Sequence, residues 1–131
     1  MSRPASRYPT ELELLILKVL WQSSPLRARA IQTALAEGNR ELAKTSVITT
    51  LNTMVEKKYL SRKQHGNAYL FSPRITESEV SKKVLRDVVD RVFEGSPTAV
   101  LLKLFDVKNL DPDELKEMRR IITRELKKNQ Q

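Results

Sequence analysis

A stripe of short, uncharged polar side chains is the part of the sequence best suited to recognition chemistry. Ser46, Thr49, Asn52 and Thr53 are spaced i, i+3, i+6 and i+7, so a helix places them on one face. Solvated helix faces ordinarily carry Glu and Lys, because Thr and Ser are weaker helix formers. Hydroxyls, methyls and the Asn amide can instead meet base edges in a DNA major groove, where Asn can pair with adenine. A Thr-rich helix that is merely exposed is the alternative interpretation.

The stripe requires a helix over residues 42–58. Its opposite face repeats apolar residues at the helical period, which predicts that this face lies against a core: Val47, Ile48, Leu51, Met54 and Val55. Thr45 flanks the polar stripe near the start of the helix. The sequence therefore predicts that base edges are read by Ser46, Thr49, Asn52 and Thr53.

Two helices are predicted before this one. Thr10 and Glu13 form a capping-box pattern that opens a helix ending near Gln22. A second helix is predicted over residues 27–37, with Gly38 in the left-handed position that often ends a helix. Together the three helices predict a compact unit that ends in a helix-turn-helix.

Residues 59–73 predict a β-hairpin beside these helices. Gly66 and Asn67 both tolerate positive φ and separate two short strands. Leu60, Tyr69 and Phe71 are predicted to pack onto the helices. Polar and basic side chains are predicted to contact the DNA backbone: Lys44, Arg62, Lys63, His65 and Asn67. For His65, a turn residue in solvent is the alternative.

The remaining chain is predicted to be helical, with helices over residues 76–94 and 97–106 and a last one opened by Asp111. Their apolar stripes are too large for 56 residues to bury alone, so the sequence predicts pairing with a second copy. The predicted dimerisation residues are Val84, Val88, Val92, Phe93, Leu101, Leu104, Phe105 and Ile122. A basic run follows, which is either a second nucleic-acid patch or favourable charge at a helix end: Arg119, Arg120, Arg124, Lys127 and Lys128.

Composition separates a nucleic-acid-binding protein from most enzymes. Residues 1–75 hold 12 Lys and Arg against 5 acids, whereas residues 76–131 hold 12 against 11, so the positive charge accompanies the polar stripe. The chain has no Cys and one His, which excludes thiolate sites and His clusters, and we expect no metal and no cofactor. Glu11 and Glu13 could serve a hydrolase, but the capping-box pattern explains them. The longest apolar run has four residues, so we expect a cytoplasmic protein without membrane insertion.

The sequence resembles the penicillinase-repressor family of winged-helix regulators (BlaI/MecI/CopY type) over about residues 9–126. The resemblance rests on Thr10-Glu11-Leu12-Glu13, on the segment from Leu17 to Trp21, on Val47-Ile48-Thr49-Thr50-Leu51, and on Lys57. It continues through the Gly66 turn, Phe71-Ser72-Pro73, and Val100-Leu101-Leu102 followed by Leu110.

The resemblance implies a dimeric repressor that binds inverted-repeat operators, often in genes for β-lactam resistance. It also implies release when a membrane-anchored sensor metalloprotease is activated and the repressor is cut in its dimerisation region. Where the family has a cleaved Asn-Phe bond, this chain has Lys103-Leu104. The resemblance implies that Thr45, Ser46 and Thr49 take the family's base-reading positions. The chain has Lys44-Thr45-Ser46 where family members commonly have Pro-Lys-Thr, and Thr53 where they have Arg. The copper-responsive branch ends in a cysteine cluster that this chain does not have.

The predicted fold class is mainly α with a small β-hairpin. A winged helix-turn-helix domain over residues 9–75 would precede a helical dimerisation region over residues 76–131. The predicted function is sequence-specific transcriptional repression by a homodimer on double-stranded DNA. The alternative is a winged-helix adaptor that binds nucleic acid or protein without operator specificity.

Overall fold

The computed structural model describes residues 8–130, and within them the chain forms six α-helices and three short strands. In chain order these are α1 Glu11–Gln22, β1 Leu26–Arg27, α2 Ala28–Glu37, α3 Lys44–Glu56, β2 Leu60–His65, β3 Ala68–Pro73, α4 Glu77–Val92, α5 Pro97–Val107 and α6 Pro112–Asn129. This order confirms the predicted fold class, a winged helix-turn-helix followed by helices. The chain divides into two compact units inside α4, after Arg86.

The helix starts follow the predicted capping residues. At α1 the Thr10 amide donates to Glu13 Oε1 at 2.8 Å, and the Glu13 amide donates to Thr10 Oγ1 at 3.2 Å. Ser96 and Asp111 accept from the third residues of α5 and α6, and each is followed by proline at the first helical position. These side chains satisfy amide groups that have no partner inside the helix.

The turn after α2 differs from the prediction. Gly38 has φ −89° and ψ 22°, so it does not take the left-handed conformation that the sequence predicted for it. Its amide still donates to carbonyls of the last helical turn, Ala34 and Leu35, which keeps it in a near-helical conformation. The chain reverses one residue later at Asn39, with φ 67°, a conformation that Asn tolerates better than most residues.

The predicted hairpin is confirmed, and it belongs to a three-stranded antiparallel sheet of order β1-β3-β2. Arg62 pairs with Phe71 and His65 with Ala68 across the hairpin, which turns at Gly66 with φ 63°. The sequence did not predict β1, whose Leu26 pairs with Phe71 on the other edge of β3. Strand β1 therefore connects the hairpin of β2 and β3, here called the wing, to the segment between α1 and α2.

The core of the first unit lies between the three helices and the sheet. Its buried apolar side chains come from α1, α2, α3 and the hairpin: Ile16, Leu17, Leu20, Ile31, Leu35, Val47, Leu51, Met54, Leu60 and Phe71. Full burial of one such side chain stabilises the fold by about 1.5–3 kcal/mol. Trp21 packs against this core, and its Nε1 donates to the Ile75 carbonyl at 2.8 Å. The inner face of α3 is therefore fixed by burial.

The second unit has a different character. Within residues 87–130 no side chain is fully buried. Large apolar side chains of this unit are exposed, among them Val92, Leu102, Leu104, Phe105, Val107, Leu115, Ile121, Ile122 and Leu126. Leu101, Phe105, Leu115, Met118 and Ile122 line an open groove between α5 and α6. Helices α5 and α6 therefore keep an apolar groove open to solvent.

No helix between Tyr8 and Gln130 combines the length and the apolar composition needed to cross a membrane.

Candidate nucleic-acid interface

The polar stripe lies on the outer face of α3. Val47, Leu51 and Met54 on the inner face are at most 1 % exposed. Thr45, Ser46, Thr49 and Asn52 are exposed, and Thr53 is half-buried. The same helix therefore carries a face locked into the core and a face free to enter a groove.

The hydroxyls of the stripe differ in their availability. Thr50 Oγ1 donates to the Ser46 carbonyl at 2.8 Å, and Thr53 Oγ1 donates to the Thr49 carbonyl at 3.0 Å. These two protons are used inside the helix, as Thr side chains in helices often do. The hydroxyls of Thr45, Ser46 and Thr49 have no hydrogen-bond partner within the part of the chain that the structure describes. They can therefore donate to a ligand without breaking an internal bond.

An ion pair fixes the end of α3 to the start of α1. Lys57 Nζ lies 2.9 Å from Glu13 Oε2 and 3.2 Å from Oε1, and Glu13 is only 3 % exposed. The same ammonium lies 5.9 Å from the centre of the Tyr59 ring. Since this carboxylate also completes the capping box, its contacts are structural. Glu11, the other candidate acid, is exposed and lies 3.5 Å from Arg40.

Tyr59 beside this ion pair has a raised pKa. Burial is the largest cause, because it disfavours the phenolate, and the negative charge of Glu13 acts in the same direction. The positive charge of Lys57 acts against both. The phenol is therefore neutral around pH 7, and we find no acid–base chemistry at this position.

The two faces of β2 carry different parts of the predicted backbone-binding set. Side chains alternate along a strand, so Arg62 lies on the same face as the buried Leu60, whereas Lys63 and His65 lie on the other. Lys63, His65 and the turn residue Asn67 are exposed, as is Lys44 at the start of α3.

Arg62 is held between the wing and α3. Its Nη1 donates to Asn52 Oδ1 at 2.8 Å, and its guanidinium carbon lies 4.6 Å from the centre of the Tyr69 ring. Leu60 and Phe71 are buried as predicted, but Tyr69 stays 44 % exposed. Sequence reasoning missed this contact, although strand alternation after Leu60 places Arg62 on the helix side.

The predicted dimerisation residues lie on α4, on α5, on α6 and just after α4. Val84, Val88, Phe93 and Leu101 are half-buried, and the others are exposed, namely Val92, Leu104, Phe105 and Ile122. The bond between Lys103 and Leu104 lies inside α5, with the Lys103 side chain 58 % exposed and 3.4 Å from Asp106. Partial exposure of apolar side chains over three helices is typical of a surface that a partner covers.

The basic run on α6 is exposed along the last three turns of the helix. Arg120 pairs with Glu117, and Lys128 pairs with Glu125, each on the same helix. Lys127 and Lys128 lie in the last turn, where positive charge stabilises a helix. Two of the five cations therefore have partners inside α6.

A family model and the sequences of known proteins both match the chain to penicillinase repressors. A family model described as "Penicillinase repressor" matches residues 9–124. The chain is 22 % identical over 113 residues to the penicillinase repressor of Bacillus licheniformis, covering 86 % of this chain and 88 % of that protein. It is 17 % identical over 109 residues to the methicillin resistance regulatory protein MecI of Staphylococcus aureus strain N315, covering 83 % and 88 %. Among solved structures, RosR of H. salinarum is similar in fold, with a TM-score of 0.50, 17 % identity and 92 % and 96 % coverage.

Proposed function

Because the chain belongs to the penicillinase repressor family, and is thus a DNA-binding transcriptional repressor rather than an enzyme, we propose that it binds an inverted-repeat operator as a homodimer. One observation carries the sequence-specific part of this proposal. The outer face of α3 offers exposed, uncharged side chains over several turns while its inner face is buried. Such a face can approach base edges without the ionic contacts that bind every sequence alike.

The proposed base contacts are Thr45, Ser46, Thr49, Asn52 and Thr53. Thr45, Ser46 and Thr49 have free hydroxyls, which can donate to or accept from bases. Thr53 has its proton engaged by the Thr49 carbonyl, so it would contribute its methyl and its remaining acceptor. The Thr53 methyl would contact the methyl group of a thymine.

The proposed backbone contacts are Lys44, Arg62, Lys63, His65 and Asn67. Lys44 lies at the start of α3, and Lys63, His65 and Asn67 are exposed on the wing. Arg62 has further N–H groups besides the one that bonds Asn52, since a guanidinium carries five. Contacts of this kind set the position of the protein on the duplex and do not select sequence.

The decisive experiment compares binding to the selected operator with binding to random DNA. Thr49→Ala or Asn52→Ala should weaken operator binding by roughly 1–3 kcal/mol, the usual value of a good base contact, with much less loss on random DNA. Thr98→Ala, an exposed threonine of α5 outside the stripe, is the matched control. Thermal stability of the variants should stay within about 0.5 kcal/mol. An unchanged ratio of the two affinities in both variants would favour the adaptor without operator specificity.

The proposed dimer uses the apolar surface of α4 to α6. The dimer is supported by apolar side chains that a single chain leaves half-buried or exposed: Val84, Val88, Val92, Phe93, Leu101, Leu104, Phe105 and Ile122. A second copy is the simplest cover for such a surface, because two-fold pairing presents the same apolar patch to itself. Two copies would also match the two halves of an inverted repeat.

We further propose release by proteolysis between Lys103 and Leu104, by a membrane-anchored sensor metalloprotease in a β-lactam-type response. The names of the relatives, which refer to penicillinase and to methicillin resistance, support the antibiotic context. The bond is inside a helix, so cleavage requires local unwinding of α5.

Mass spectrometry of the repressor from cells treated with a β-lactam tests this step. We expect one fragment that ends at Lys103 and one that starts at Leu104. Loss of operator binding with the chain still intact would contradict it.

A further inference from the structure

A line of contacts runs from the core of the first unit to the outer face of α3. Phe71, which is 4 % exposed, contacts Tyr69 edge to face, with ring centres 6.5 Å apart and planes at 61°. The Arg62 guanidinium lies over the Tyr69 ring at 4.6 Å. Arg62 then donates to Asn52 at 2.8 Å. The wing therefore contacts the outer face of α3 through the planar guanidinium of Arg62.

This contact fixes the orientation of the Asn52 amide. A guanidinium can only donate, so the atom facing Arg62 must be the amide oxygen and not the nitrogen. The Asn52 NH2 group makes no hydrogen bond to any residue between Tyr8 and Gln130. Asn52 is exposed, so its two free donors are available on the outer face of α3.

The engaged oxygen changes what Asn52 can read. Bidentate pairing with adenine needs the Asn oxygen to accept from N6 while its NH2 donates to N7. In this protein that oxygen accepts from Arg62 and faces the wing, so an adenine pair would have to use its second lone pair. The free NH2 suits an edge that offers acceptors alone, which is N7 and O6 of guanine or O4 of thymine.

We propose that Tyr69 and Arg62 are positioning residues that hold Asn52 as a donor, so that it selects a base with an acceptor edge. This inference rests on the proposed entry of α3 into the major groove. Arg62 remains a source of positive charge, because no carboxylate in residues 8–130 forms an ion pair with it. In this proposal the specific role of Arg62 is to orient Asn52. Lys63, which is exposed on the opposite face of β2, provides the phosphate contact.

Arg62→Lys separates the two roles. Lysine keeps the charge but lacks the planar group that stacks on Tyr69 and bonds Asn52 at once. We expect the ratio of operator affinity to random-DNA affinity to fall about tenfold, with the salt dependence unchanged. Arg86→Lys, which makes the same exchange at an exposed position of α4 outside the proposed DNA contacts, is the matched control and should keep the ratio. A retained ratio in Arg62→Lys would show that Arg62 is only a phosphate contact.

Three further variants test the line of contacts itself. Tyr69→Leu should reduce the ratio as Arg62→Lys does, while Tyr69→Phe, which keeps the ring, should not. In an Asn52→Ala background, Arg62→Lys should have no further effect on the ratio, because there is no amide left to orient. Independent, additive losses from the two changes would overturn the proposal. Melting temperatures measured alongside identify any variant that loses the ratio through unfolding.

Selection of operators from a random pool identifies the base. The wild type should require guanine or thymine at one position of each half-site, and Arg62→Lys should lose that requirement alone. Adenine or cytosine at the position that depends on Asn52 would overturn the assignment. A wild type that selects no sequence would instead refute the proposed function, so the two failures are distinguishable.

Discussion

The pH dependence of the protein's stability should report the burial of Tyr59 in the first unit. The pKa of Tyr59 is raised above 10.0 by burial and next by Glu13, against the opposing effect of Lys57. Below about pH 10 the phenol is protonated in both folded and unfolded chains, so its contribution is constant. Above that pH the unfolded chain loses its proton first, which favours unfolding until the folded-state pKa is passed.

We therefore expect Tyr59→Phe to lose less stability than the wild type as the pH rises above about 10. Chemical unfolding at several pH values measures this difference directly. Tyr69→Phe, at a tyrosine that is 44 % exposed, serves as a control for the loss of a phenol as such. Parallel pH profiles for Tyr59→Phe and the wild type would mean that the burial of Tyr59 has no energetic effect.

Single residues were predictable where their neighbours in sequence determine them. The capping box at Thr10 and Glu13, and the division of α3 into an apolar and a polar face, follow from spacing alone. The partners of Lys57 and Arg62 could not be predicted in this way. Each lies on a different element from its partner, at separations of 44 and 10 residues, so the contact depends on how the elements pack.

The wing is the element whose charge should dominate the salt dependence of binding. Lys63 lies on its exposed face and would neutralise about one phosphate, so Lys63→Ala should weaken binding to all sequences alike. The slope of log affinity against log salt should shrink by about one. Fluorescence anisotropy at several salt concentrations measures the slope, with Lys18→Ala on α1 as control. A loss limited to one base position would mean that Lys63 reads sequence.

The sheet shows where element prediction ends. The hairpin was predictable because Gly66 and Asn67, which tolerate positive φ, separate two short segments that carry the apolar residues Leu60, Tyr69 and Phe71. Strand β1 has only two residues, too few for alternation to be recognisable, and it exists because β3 has a free edge. The left-handed turn lies at Asn39 and not at Gly38 for a reason that sequence spacing does not show. The Gly38 amide still donates to carbonyls of the last helical turn, so the reversal comes one residue later.

At the scale of the whole molecule, we expect a dimer in solution at micromolar concentration. Ile122→Lys places a charge on the apolar face of α6 and should shift the protein towards the monomer. Glu117→Gln changes the net charge by the same amount on the same helix and should leave the dimer intact. Sedimentation velocity distinguishes the two states. A monomeric wild type, or an Ile122→Lys variant that still dimerises, would contradict the assigned surface.

The predicted division into a DNA-binding and a dimerisation region concerns function, whereas the two compact units of the structure concern packing. The compact units divide after Arg86, inside α4, whereas the sequence predicts domains of residues 9–75 and 76–131. Val80 explains part of this difference, because it is buried and belongs to the first unit. A helix shared by both units leaves no composition change at the division. The predicted boundary between DNA binding and dimerisation stays a prediction.

Residues 87–130 hold no fully buried side chain in a single chain, so in the proposed dimer full burial of apolar side chains in this half comes from the pairing of two copies. Where most copies are unpaired, the amount of the paired form rises with the square of the amount of protein made. A cell that halves its supply then loses about three quarters of the paired form. Regulated genes would respond to a threshold dose of repressor, and the apolar faces of α4 to α6 would set that threshold independently of the side chains that touch DNA.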